Sequence, residues 1–338
     1  MVMTARHWQL LRATSRSFYL SLRVLPARVR KPIAVAYLLA RTTDTVADAG
    51  TIAVANRLRL LETMRLQILG VAPPGPIPEM ARGDLVGPGP EQELARSWAE
   101  SLAALSSLTE EDRAEVRTVL GHIVEGQTRD LTRFGAPAPG SSRVTALATA
   151  EELDQYTYHV AGSVGEFWSR LCRRHLFPRH PLDETSWLTL AVRFGKGLQL
   201  VNVLRDCAED IRLGRCYLPA TELETLRVRP EELRDPACWP RVRPCYERWR
   251  RLALDHLQAG WAYTVAIPPG QWRLRLACAW PLLIGVRTLQ ELGRVNPLDP
   301  AQRIKVSRRE VRKWMLRSLV RLPVRSAWAR LFEEALRR

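Results

Sequence analysis

Apolar and polar positions along this chain repeat with a helical period. Ile33, Tyr37, Ala40 and Asp44 fall at spacings of three and four, as do Val192, Gly195, Gln199 and Asn202. The strict alternation that a half-buried strand needs is hard to find. The pattern predicts an all-α protein, a helical bundle punctuated by three breaks. The first, Val71 to Pro90, holds six prolines; the second is Arg133 to Arg143 (RFGAPAPGSSR) and the third Ile267 to Gly270 (IPPG). The longest apolar run, Leu276 to Val286, falls short of the roughly 20 residues that span a bilayer. It contains Pro281 and reads as a core helix. No internal repeat is evident, and a single domain over 1–338 is expected, with a basic amphipathic tail over 312–338.

Composition narrows the class without choosing a partner. Hydrophobic residues make up 46%, as in a globular protein, and the net charge is +16 with a pI near 10.4. Such a surface attracts nucleic acid, anionic lipid or anionic substrates. The chain carries no nucleic-acid recognition motif, so no nucleic-acid partner is expected. The six cysteines (172, 207, 216, 238, 245 and 278) form no CxxC pair, which argues against structural zinc and for free buried thiols in a reducing compartment. No secretory leader is expected, because the first residues are already polar and basic by Arg12 and Arg16. Gly195-Lys196-Gly197 lacks the third glycine and the preceding strand of a dinucleotide fingerprint.

Two acid pairs carry the chemistry. Asp44 and Asp48 sit four residues apart in DTVAD, and Asp206 and Asp210 repeat that spacing in DCAED. Residues four apart on a helix share a face. On a helical wheel Gln199, Asn202, Asp206 and Asp210 fall within an arc of roughly 80°, with Glu209 at its edge and apolar residues opposite. That arrangement predicts a buried polar stripe. Buried carboxylates are costly unless neutralised, and two pairs facing a shared cavity would suit Mg²⁺ bridging carboxylates to substrate phosphates. Arg41, three residues before Asp44, can pair with a carboxylate or grip a phosphate bidentately.

Other segments leave alternatives open. Thr14-Ser15-Arg16-Ser17-Phe18 reads first as a helix cap, and second as an anion clamp. In Tyr156-Thr157-Tyr158-His159-Val160-Ala161-Gly162-Ser163-Val164-Gly165, the small residues suit tight helix packing or space for a long apolar ligand.

Together these motifs resemble the squalene and phytoene synthase family, the head-to-head isoprenoid synthases, from about Thr14 to Val311. TSRSF, DTVAD, YTYHVAGSVG and QLVNVLRDCAEDIRLGRCYLP follow one another in the family's order and spacing. The squalene synthase branch is the most similar. The resemblance implies an isoprenoid-synthase-type helical bundle around a central apolar cavity. It implies Mg²⁺, or Mn²⁺ in its place, on Asp44, Asp48, Asp206, Glu209 and Asp210. Ser15, Ser17, Arg41, Gln199 and Asn202 match positions that bind the diphosphates, and Tyr156 matches a tyrosine linked to diphosphate departure and proton handling. The implied reaction joins two farnesyl diphosphates through presqualene diphosphate and reduces the product to squalene with NADPH. Lys305, Arg308 and Arg309 resemble the basic stretch near the reductant site. Squalene synthases usually carry an acid where this chain has Ala47, so the first motif keeps two carboxylates. The alternatives are a non-reducing synthase making presqualene diphosphate, dehydrosqualene or phytoene, and a non-catalytic prenyl-lipid binding or assembly subunit. Four aligned aspartates argue against the latter.

Residues 303 to 338 hold twelve Arg or Lys against Glu310, Glu333 and Glu334, interleaved with Trp314, Met315, Leu316, Leu319, Trp328, Leu331 and Phe332. This composition suits either an interfacial helix on anionic lipid or an amphipathic helix packed on the bundle. Peripheral association with the cytoplasmic face of a membrane is the expectation, with no obligate protein partner.

Overall fold

The computed structural model describes residues 3–15, 18–77, 89–135, 142–181, 183–302 and 304–337. In chain order the α-helices are α1 (Ala5–Thr14), α2 (Phe18–Val24), α3 (Ala27–Ala47), α4 (Val54–Leu69), α5 (Pro90–Arg96), α6 (Trp98–Ser106), α7 (Glu110–Phe134), α8 (Ala150–Thr157), α9 (Ser163–Leu176), α10 (Glu184–Arg205), α11 (Cys207–Arg212), α12 (Ala220–Thr225), α13 (Trp239–Ala266), α14 (Trp272–Leu292), α15 (Arg308–Arg321), α16 (Arg325–Ala329) and α17 (Leu331–Leu336). A π-helical turn, Tyr158–Gly162, joins α8 to α9. Among the described residues the strand content is one parallel pair, β1 (Thr145–Ala146) beside β2 (Arg215–Cys216). The all-α expectation holds.

Local chemistry sets the helix ends. The Thr109 hydroxyl accepts from the Asp112 amide at the head of α7, whose first turn carries Glu110, Glu111 and Asp112 toward the positive end of the helix dipole. Asp183 caps α10 and Ser307 caps α15 in the same way. Gly135 ends α7 with φ +55, a conformation that favours glycine.

The chain divides into two compact units, residues 1–136 with 167–178, and residues 137–166 with 179–338. In the first, α3 is the central helix and packs against α1, α2, α4, α5, α6 and α7. Its stretch from Ile33 to Ala36, with Leu38 and Leu39, is buried. Arg174 and His175, late in α9, both meet the buried Asp112 carboxylate of α7, at 3.2 and 2.8 Å.

In the second unit α10 holds the central place, lying along α13 and also touching α8, the π turn and α14. Leu276 to Val286 falls inside α14, a core helix that carries Pro281 as the sequence implies. The tail is largely part of this core. Trp314, Trp328, Leu331 and Phe332 are buried, and Trp261 packs its ring against Trp328 and Phe332, with centroids 5.5 and 6.2 Å away. The Trp280 indole donates to Ser318 at 3.0 Å, and Arg287 pairs with Glu310 at 2.7 Å. Most of the apolar tail residues are therefore core residues rather than surface ones. Leu316 and Leu319 stay exposed.

Candidate active site

Each acid motif lies at the carboxyl end of the central helix of its own unit. Asp44 is in the last turn of α3, and Asp48 is the residue that closes it, its amide donating to the Asp44 carbonyl at 2.9 Å. Asp206 closes α10 and Asp210 follows one turn later in α11. A helix carboxyl end carries partial negative charge, which disfavours carboxylates there by about 0.3–1 kcal/mol each and favours cations. The fold thus puts Asp44, Asp48 and Asp206 where a carboxylate needs a positive partner, while Glu209 and Asp210 lie in the first turn of α11.

In the first unit that partner is Arg41. It pairs with Asp44 within the helix and reaches Glu91 of α5 at 3.5 Å. Burial acts to lower the Arg41 pKa, but Asp44, with Tyr37 and Glu91, outweighs it and holds the guanidinium above its ordinary value. Below the motif, the Tyr37 hydroxyl donates to the Thr14 carbonyl at 3.1 Å and its ring stacks on Phe18 at 5.1 Å. These contacts tie the turn that contains Ser15 to α3. Ser15 is buried and closes α1, with its hydroxyl donating to the Leu11 carbonyl. Ser15 is thus the C-terminal cap of α1. Ser17 lies outside the described residues.

In the second unit α10 stops at Arg205, so the predicted continuous helix is interrupted at Asp206. The row survives the interruption, because the Asp206 amide donates to the Asn202 carbonyl and the Asp210 amide to the Asp206 carbonyl, both at 2.9 Å. Arg205 grips the neighbouring Asp206 through two bonds, at 2.8 and 2.6 Å. Adjacent side chains do not face each other on a regular helix, so the break in α10 is what brings this pair together. The hydrogen bond to Asp206, aided by the charges of Asp206, Asp210 and Glu209, raises the Arg205 pKa against the effect of burial. One turn earlier, Asn202 Nδ2 donates to Gln199 Oε1 at 3.4 Å, and Gln199 Nε2 donates to the Tyr156 hydroxyl at 3.3 Å. The Tyr156 ring lies 4.8 Å from that of Tyr217. Tyr156, Gln199 and Asn202 therefore form one polar row leading to the second aspartate motif.

The stripe is less buried than its apolar surroundings imply. Asn202 and Glu209 are exposed, Gln199 and Asp210 are half-buried, and the Asp206 side chain is 41% accessible, as is that of Asp44. Asp48 is exposed. Among the described residues no three His, Cys, Asp or Glu side chains gather closely enough to hold a metal by themselves. The donors are nevertheless all oxygen, two carboxylates per motif. They fit Mg²⁺, which takes one or two carboxylates and completes its shell with water and phosphate oxygen.

The small residues of 161–165 serve packing. A Cβ on Gly165 would lie 2.1 Å from the Ala191 carbonyl oxygen, and one on Gly195 would lie 2.1 Å from that of Ala161. The close approach presses α8, the π turn and the start of α9 onto α10, which sets Tyr156 beside Gln199. Phe194 is buried, its ring centroid 6.1 Å from that of Tyr263. Lys305, Arg308 and Arg309 are exposed around the head of α15.

Sequence reasoning missed Arg205, Glu91 and Arg57. The clue to Arg205 was its place beside Asp206, hidden by the assumption of an unbroken helix. Glu91 lies fifty residues from Arg41, and nothing local marks it. Arg57 is buried and donates to the Ala47 carbonyl at 2.7 Å, holding the end of α3 between the two aspartates.

Comparison with known proteins bears on the fold and the family. The described fold matches the structure of TcSQS in complex with the ligand E5700, with a TM-score of 0.75 and 21% identity over 98% of this chain and 96% of that one. A bifunctional lycopene cyclase/phytoene synthase of Aspergillus oryzae is 30% identical over 228 residues, 66% of this chain and 36% of that protein. The presqualene diphosphate synthase of Zymomonas mobilis subsp. mobilis is 27% identical over 230 residues, 68% of this chain and 65% of that protein. The chain spans less than half the length of the fungal bifunctional proteins it matches. The family model for squalene/phytoene synthase matches residues 11–310. With that match over most of its length, and with an all-α isoprenoid-synthase fold, the chain belongs to the squalene/phytoene synthase family.

Proposed function

We propose that this protein joins two farnesyl diphosphates head-to-head, through presqualene diphosphate, and reduces the product to squalene with NADPH. The observation that carries the reading is the polar row from Tyr156 through Gln199 and Asn202 to the Asp206–Arg205 pair. It sets a phenol, two amides, a guanidinium and carboxylates along one line, a set that suits departure of a diphosphate. Arg41 and Arg205 present planar forks that match phosphate oxygens. Release of their carboxylate partners to a metal would free both for substrate. Asp44, Asp48, Asp206 and Asp210, with Glu209 beside them, would hold Mg²⁺, which when bound would neutralise the leaving diphosphate. Tyr156, which accepts a hydrogen bond from Gln199, would keep or pass a proton at its hydroxyl oxygen. Lys305, Arg308 and Arg309 would take the 2′-phosphate of NADPH, the source of hydride.

A second reading is favoured by the names of the sequence relatives, phytoene synthase and presqualene diphosphate synthase. On it, the protein makes presqualene diphosphate, dehydrosqualene or phytoene without reduction. Product analysis by gas chromatography and mass spectrometry separates the two. Purified protein with farnesyl diphosphate and Mg²⁺ should yield squalene only when NADPH is added. The same product with and without NADPH would establish the non-reducing reading, and no prenyl product from farnesyl or geranylgeranyl diphosphate would sink both.

A further inference from the structure

Seven large hydrophobic side chains are exposed among the described residues, and four of them fall within nine positions: Leu316 at 63%, Leu319 at 46%, Val320 at 70% and Val324 at 54%. The first three lie on α15 within an arc of about 100°, by the helical period. Trp314 and Ser318 occupy the opposite face and are buried against the second unit. The helix is thus anchored by one side, and its apolar outer side is not required for that anchoring.

The charge on this outer side is one-signed. Arg309, Arg312 and Lys313 stand exposed on the same face, one to two turns before Leu316. Glu310 is the acid of α15, and it is turned aside to Arg287. Arg321, at the flank, is paired with Glu334. The face therefore has an aliphatic half and a cationic half, with no acid between them.

We infer that this face of α15 is a docking surface for an anionic lipid bilayer, with Leu316, Leu319 and Val320 entering the boundary of the acyl region and Arg312 and Lys313 meeting the headgroup phosphates. Charge decides the occupant. A second copy would bring the same cations against these, so self-association through this face is repulsive. A folded protein partner would gain from aromatic anchors, whereas the exposed apolar side chains of this face are all aliphatic. A bilayer asks for no shape and supplies both phases that the face matches, hydrocarbon below and negative charge above. The binding is expected to be reversible and sensitive to salt, since a single short helix face enters. The inference stands apart from the proposed activity, and its test uses no substrate.

Flotation of the full chain with phosphatidylcholine vesicles, with and without about a third of phosphatidylglycerol, tests it. The protein should float with the anionic vesicles at about 0.1 M salt and bind neutral ones at least about tenfold more weakly. The triple variant Leu316→Ser, Leu319→Ser, Val320→Ser should keep its circular dichroism and melting temperature and lose binding by about tenfold or more. If that variant fails to fold, the pair Arg312→Glu, Lys313→Glu takes its place and should show the same loss. Absence of flotation with anionic vesicles overturns the proposal. So does variant binding equal to that of the unmodified chain, which would assign attachment to the general positive charge. Self-association of the unmodified chain that the triple variant abolishes would give the face to a second copy and also overturn it.

Discussion

An arginine meets the first aspartate of each motif, and the two pairs differ in what they lose if changed. Arg41 and Asp44 make an ordinary pair three residues apart, while Arg205 and Asp206 are neighbours held by two parallel bonds. A bidentate fork depends on guanidinium geometry, which lysine cannot copy. Arg205→Lys should therefore retain the charge and still lower kcat/KM, whereas Asp206→Asn and Asp44→Asn should each lower kcat by about 10²–10³, the usual cost of removing one element of charge stabilisation. Steady-state kinetics on the product assay checks this, with circular dichroism to show that the fold is kept. Full activity in Asp206→Asn would remove the second motif from the reaction. The four aspartates were legible because a spacing of four is a helical signature. Their partners were less so: Arg205 needed the break at Asp206, and Glu91 needed the packing of α5 near α3, neither of which periodicity encodes.

Glycine placement fixes how closely the elements approach. Gly165 and Gly195 form a reciprocal contact in which each helix backbone meets the other where a side chain is missing. A methyl group at either position would meet a carbonyl oxygen at 2.1 Å, and backbone cannot swing aside as a side chain can. Gly165→Ala and Gly195→Ala should destabilise the second unit by about 1–3 kcal/mol, as overpacking does. Because the contact sets Tyr156 beside Gln199, activity should fall as well. Gly121, in the middle of α7, has open space around it. Gly121→Ala should stabilise the first unit by about 0.5–1 kcal/mol through helix propensity alone. Chemical denaturation of the three variants reads both signs in one experiment, and destabilisation by Gly121→Ala equal to that of the others would refute the geometric argument. The small-residue run was readable as packing, and its partner helix was not. The helices themselves were largely legible, including α14 around Pro281, because their apolar periods are long. Their ends were less so: α10 stops at an aspartate pairing that no propensity predicts.

At the scale of the molecule, the high positive charge makes pH a lever on stability, and one half-buried imidazole is shifted far enough to act near neutrality. His256 of α13 accepts a hydrogen bond at Nδ1 from Arg193 of α10 at 3.3 Å, which requires that nitrogen to be unprotonated. Burial, with the charges of Arg193 and Lys196, lowers its pKa to about 4, against the opposing pull of Asp255 and Asp154. An unfolded histidine titrates near 6.5. Between those values the unfolded chain binds more protons than the folded one, so stability rises with pH across that interval. The contribution is complete above about pH 6.5, shrinks as pH falls toward 4, and is constant below. The full shift, discounted for partial solvent screening, amounts to about 2 kcal/mol, or about 4 °C in the melting temperature of a chain this large. His256→Asn keeps an acceptor near Nδ1 and removes the titration. Thermal melts from pH 7.5 to 4.5 should then show a shallower decline for the variant than for the unmodified chain, with the two curves drawing together at the acidic end. Parallel curves over the whole range would mean that His256 titrates alike in the folded and unfolded chain, and that the α10–α13 contact rests on the Arg193–Asp255 pair at 2.6 Å instead.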